Sequence, residues 1–205
     1  MSATAAPAQD RSDFRTVTTG GALVGLVTGV AVVLFVAASR TLAGGAAREG
    51  VEALLVIAAA VVVAFVPARW TAARSTDGIA GAAAVGLVGT VVFSAIDIVL
   101  LRPFQAYPWT WDAIGGGSTW WYLPVWWMLG TFLAWMGGIL TASQASRGGG
   151  QAALGRSALP AIAGTVIVAA IARLAGVAVS LPAAAGGAFT IILAALALVA
   201  LTRKG

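Results

Sequence analysis

The hydrophobic positions of this chain neither alternate nor recur every third or fourth residue; they run nearly unbroken. Six stretches, about 17–39, 50–68, 78–101, 121–142, 158–180 and 183–202, are almost continuously apolar, and short segments between them carry most of the charges. A helix rises 1.5 Å per residue, so a hydrocarbon core roughly 30 Å thick takes about 20 residues, and each stretch predicts a transmembrane helix. The first is uncharged from Thr16 to Ser39, between Arg15 and Arg40. The second lies between Glu49 and Arg69, with Glu52 just inside it, and the third runs from Asp77 to Arg102. Pro124 suits the first turn of the fourth helix, where a missing N–H is harmless. The fifth and sixth are separated only by S-L-P-A at 180–183, which predicts a tight hairpin. The expected fold class is all-α: a polytopic membrane protein, a bundle of six transmembrane helices. Residues 1–16 form a polar tail, 17–205 one transmembrane domain, and 102–120 an aromatic-rich loop.

The first apolar stretch is longer than the roughly 7–15 residues of a signal-peptide core, and Asp10 and Asp13 precede it, so it reads as a membrane helix.

Composition agrees with this pattern. Hydrophobic residues make up 60% and charged residues 9%, with a mean hydropathy of +0.96, whereas about a quarter of a soluble domain is charged. A water-soluble chain of this length has no core large enough to hide so much apolar surface. Cysteine and histidine are both absent, which excludes disulfides, ordinary zinc and iron–sulfur sites and His-ligated haem. No cofactor and no metal are expected. The net charge of +5 comes from basic residues scattered singly, unlike the clustered footprint of a nucleic-acid binder.

Those basic residues predict topology instead. With the N-terminus inside, the inner segments carry Arg11, Arg15, Arg69, Arg74, Arg147, Arg156, Arg203 and Lys204, against Arg40, Arg48 and Arg102 outside. Lys and Arg concentrate in short cytoplasmic loops, so both termini are expected in the cytoplasm and the protein in the cell inner membrane.

The aromatic loop then lies outside. Tyr107, Trp109, Trp111, Trp120, Trp121, Tyr122, Trp126 and Trp127 cluster there or at the start of the fourth helix. Trp and Tyr favour the membrane interface because an apolar ring carries a polar N–H or O–H. An interfacial belt and a lid over a ligand both fit, and the two are compatible. Farther down the fourth helix, Met128, Phe132, Trp135 and Ile139 form a bulky stripe, with Gly130 and Gly137 on another face. Gly21, Gly25 and Gly29 make a G-x-x-x-G-x-x-x-G run on the first helix, a pattern that lets helices approach closely, within the chain, with a partner protein or with a second copy.

Candidate chemistry is sparse. T-D-G-I-A-G at 76–81 resembles the D-G-x-x-A-R segment of lipid-alcohol phosphotransferases, but no Arg follows and Asp97 is the only later acid in the helix. Several carboxylates are needed to hold divalent metals. A Ser–His pair is impossible, a single in-span aspartate makes no dyad, and Lys204 is terminal; no catalytic residue is expected. Glu52, Asp97, Arg102, Asp112 and Arg173 all fall in the outer half, and charges inside a membrane are costly enough to suggest function. A rise of 1.5 Å per residue puts Asp97 and Arg173 at depths of about 28 and 23 Å, so the two are expected to pair across the third and fifth helices.

The six spans, the length and the cytoplasmic termini resemble the architecture of substrate-binding subunits of energy-coupling-factor vitamin transporters. That resemblance implies an outward pocket capped by loops and a partner docked on small residues of the first helix, a role open to Gly21, Gly25 and Gly29. It is a likeness of architecture and not of motif, and no vitamin-contacting residue carries over. Two functions are therefore expected: binding or transport of a small solute or lipid through an outward polar pocket under the Trp-rich loop, or an accessory subunit of a larger membrane complex. Neither is enzymatic.

Overall fold

A computed structural model describes residues 10–103, 122–148 and 154–203. Within them lie six α-helices: α1 (Phe14–Thr41), α2 (Ala46–Trp70), α3 (Thr76–Ile96), α4 (Tyr122–Gly148), α5 (Leu154–Leu174) and α6 (Leu181–Thr202). The last residues of the third span, Asp97–Leu101, continue α3 as one π-helical turn. All six spans are long and apolar enough to cross a membrane, and large apolar side chains such as Leu54, Val99, Ile167, Ile191 and Leu198 are exposed around the whole bundle. Water would not tolerate so continuous an apolar surface. This is a multi-pass membrane protein.

The helices start and stop for local reasons. Asp13 caps α1, its carboxylate accepting from the Thr16 N–H at 3.0 Å and the Thr16 hydroxyl at 2.6 Å. These bonds hold the Asp13 carboxyl below its ordinary value. The Ser75 hydroxyl accepts from the Asp77 N–H at the start of α3. There Asp10 joins from the other end of the chain: its carboxylate accepts from the N–H groups of Arg74 (3.1 Å), Ser75 (2.9 Å) and Gly78 (2.9 Å) and from the Ser75 hydroxyl. Partial burial pushes the Asp10 carboxyl up, but these four donors outweigh it and leave the group below its ordinary value. The Arg11 N–H donates to the Thr71 carbonyl at 2.8 Å. Residues 10–13 are thus strapped across the α2–α3 connection.

The end of the fifth helix differs from expectation. α5 runs from Leu154 to Leu174 and stops short of residue 180. Gly176, with φ +72°, ends it: the Gly176 N–H donates to the Arg173 carbonyl and the Val177 N–H to the Ala172 carbonyl, the paired bonds of a Schellman cap. The link to α6 is therefore 175–180, and Pro182 sits in the first turn of α6.

Four helices form a ring in which α1 packs on α3, α3 on α4, α4 on α2 and α2 on α1, while α1 and α4 make at most marginal contact. α6 docks on α2 and α4 and carries α5 on its flank. Phe65, Phe189 and Leu193 are fully buried at that junction.

Glycine makes the ring tight. A Cβ on Gly25 would sit 2.7 Å from the Gly89 carbonyl oxygen and 2.8 Å from the Val92 Cβ. Gly21 meets Val88 as closely, and Gly29 lies against Ile96. Of the contacts expected for this stripe, within the chain or with a partner or second copy, the structure shows the first: α3 of the same chain covers it, all three glycines being buried. The backbones approach because no side chain separates them. Gly130 packs on Gly86 and Thr90 of α3, and a Cβ on Gly137 would overlap the Ala64 carbonyl of α2. The Met128–Ile139 stripe changes environment along α4: Met128 and Trp135 are exposed, whereas Ile139 is buried.

Candidate ligand cavity and its charged rim

Inside the ring is a cavity of about 290 Å³. Val24, Thr28 and Val32 of α1 line one wall; Gly89, Thr90, Phe93 and Asp97 of α3 line another; Trp126, Leu129, Gly130 and Leu133 of α4 face them, and Val63 of α2 closes the back. It exists because α1 and α4, on opposite corners of the ring, are held apart. The glycines that draw each of them onto α3 leave space between them. The Thr28 hydroxyl donates to the Val24 carbonyl and the Thr90 hydroxyl to the carbonyls of Gly86 and Leu87, so neither offers its proton to the cavity. Asp97, 2% exposed, is the one charged side chain among the lining residues. The described space is apolar with a single carboxylate at one end, and the loop over the expected polar pocket lies outside the described residues.

That carboxylate does not meet Arg173. Arg102 Nε donates to Asp97 Oδ2 at 3.1 Å, and α3 and α5 make at most marginal contact. In a regular α-helix, residues five apart point about 140° away from each other. The π turn removes that angle: the Arg102 N–H donates to the Asp97 carbonyl at 2.9 Å, and the wider turn brings the two side chains to the same side. π turns inside helices are often found at functional sites. Arg173 pairs with Glu49 at 3.4 Å, and Glu52 accepts from Arg48 Nε at 2.8 Å. The expected polar cluster is therefore split: Asp97 lines the cavity with Arg102 paired to it, Glu52 and the Glu49 partner of Arg173 lie at the start of α2, and Asp112 lies outside the described residues. Two partners, Arg48 and Glu49, were missed. The i, i+4 spacing of Arg48 and Glu52 is a signal the sequence does contain.

Of the aromatic residues, Tyr107, Trp109, Trp111, Trp120 and Trp121, and the side chain of Tyr122, lie outside the described residues. Trp126 lines the cavity and is 45% exposed. The Trp127 N–H donates to the buried Ser94 hydroxyl at 3.2 Å, so this ring ties α4 to α3 and does not direct its N–H to the interface.

Compared with known protein families, curated proteins and solved structures, the chain matches none. The likeness to vitamin-transporter subunits thus rests on span number and length alone, and the glycine stripe that would dock their partner is enclosed here.

Proposed function

We propose that this membrane protein is a non-enzymatic binder of an apolar or amphipathic small molecule, a lipid chain above all, held in the α1–α3–α4 cavity. The observation that carries this reading is the lining: apolar walls with one buried carboxylate, Asp97, at one end and an aromatic ring, Trp126, beside it. Ligand sites are mostly apolar with a few placed polar groups, and run from roughly 300 to 1,000 Å³, so 290 Å³ suits a single chain or a small apolar solute. The Asp97–Arg102 pair supplies a polar end to orient the bound molecule. Transport follows if the cavity opens alternately to the two faces.

Brominated fatty acids test it, since bromine quenches tryptophan emission at contact range. Wild-type protein in detergent is expected to show saturable quenching that is much smaller in Trp126→Phe. Filling the cavity with Thr28→Phe is expected to abolish it while thermal unfolding stays cooperative. Undiminished saturable quenching in Thr28→Phe eliminates the site. An absence of quenching together with a stoichiometric co-purifying protein favours the accessory-subunit reading.

A further inference from the structure

At the opposite end of the bundle, where α1 begins and α2 ends, lies a second cavity of about 410 Å³, lined by Arg11, Arg15, Thr16, Thr19, Arg69 and Trp70. Arginines from three segments line it, and none of its lining residues is acidic. The Arg11 backbone is bonded to Thr71, Arg15 stands in the first turn of α1, and Trp70 lies against Gly20, where a Cβ would come within 2.8 Å of the indole. Asp10 and Asp13, the nearest acids in the chain to Arg11 and Arg15, are engaged with the N–H groups of Arg74, Ser75 and Gly78 and with Thr16 respectively. Planar guanidinium forks match phosphate oxygens, and hydrogen bonds between such charged groups are roughly twice as strong as neutral ones.

What lies beneath the cavity indicates the source of the phosphate. From Thr19 an exposed stripe runs along α1 through Leu23, Leu26, Val27 and Val30, spaced as one helical face toward the middle of the membrane. Trp70, 39% exposed, forms the wall at the level where the charged head gives way to the apolar stripe. A free anion uses only the head of this arrangement; a phospholipid uses both parts. We propose that Arg11, Arg15 and Arg69 hold the phosphate of an anionic lipid in the leaflet where α1 begins and α2 ends, with its acyl chains along the Leu23–Val30 face of α1.

The test uses the whole protein in nanodiscs of mixed phosphatidylglycerol and phosphatidylcholine, transferred to zwitterionic detergent and weighed by native mass spectrometry. Wild-type protein should retain phosphatidylglycerol and shed phosphatidylcholine. Arg11→Gln with Arg69→Gln should lower that retention about tenfold or more, while Arg11→Lys with Arg69→Lys, which keeps the charge but loses the fork, should retain clearly more than the glutamine pair and less than wild type. Arg156→Gln with Arg203→Gln removes the same charge from the same face outside the cavity and should change nothing. Equal loss in the two glutamine pairs would overturn the site in favour of diffuse attraction. Displacement of the lipid by inorganic phosphate at matched concentration would overturn the lipid source.

Discussion

Asp97 carries more consequence than any other single side chain here, because its charge is buried and its partner is local. Breaking a buried ion pair by removing one member costs roughly 3–5 kcal/mol, since the other is stranded. Arg102 is 26% exposed, so water takes up part of that loss, and Asp97→Ala is expected to cost about 2–3 kcal/mol. Arg102→Ala combined with Asp97→Ala should cost clearly less than the sum of the two singles. Arg173→Ala should add to Asp97→Ala without coupling, and should couple instead to Glu49→Ala. Chemical unfolding in detergent measures the cycle, and coupling between Asp97 and Arg173 would refute the assigned partners. The π turn explains why this pair is hard to read from spacing: ordinary helical pairs fall at i+3 and i+4, and nothing in D-I-V-L-L-R announces a wider turn. Glu52 with Arg48, at i+4, was legible; Arg173 with Glu49 needed the packing of α5 beside α2.

At the scale of helices, glycine positions that look alike in the sequence divide into two kinds. Gly137 meets a backbone carbonyl, that of Ala64, which has no rotamer to change. Gly137→Ala should therefore force α4 away from α2 and cost at the upper end of the roughly 1–3 kcal/mol usual for overpacking. Gly50 in α2 and Gly187 in α6 have nothing within 4 Å. Gly50→Ala and Gly187→Ala should instead stabilise by about 0.5–1 kcal/mol, because alanine loses less backbone entropy in a helix. Thermal melts of the three variants in one detergent decide between these signs; a neutral Gly137→Ala would mean the α2–α4 contact is looser than described. The G-x-x-x-G spacing marked a close helix contact correctly, but which helix makes it depends on the ring order α1–α3–α4–α2.

For the whole molecule, the six described spans put the start of α1 and the end of α6 on one face, and the arginine asymmetry proposes that this face is cytoplasmic. The absence of cysteine makes labelling clean. Ser146 at the end of α4 and Ala43 between α1 and α2 are both exposed and lie at opposite ends of the bundle. An impermeant thiol reagent on intact cells should label Ala43→Cys and leave Ser146→Cys unmodified until the membrane is opened. Labelling of Ser146→Cys alone would invert the topology, and with it the leaflet assigned to the lipid at Arg11, Arg15 and Arg69.

The sequence by itself determined the fold class, the number of spans and most of their boundaries, because a bilayer demands long apolar helices whatever else a chain does. It also singled out the glycine stripe and the charges Asp97, Arg102 and Arg173, but not their neighbours Arg48 and Glu49. Tertiary structure alone decided the pairing of those charges, the covering of Gly21, Gly25 and Gly29, and the cavity beside Asp97. Hydrophobicity records that a residue leaves water and carries no information on which apolar neighbour it meets. In a chain whose helices are apolar on every side, that choice rests on the fit of small residues against backbone, which only the assembled ring reveals.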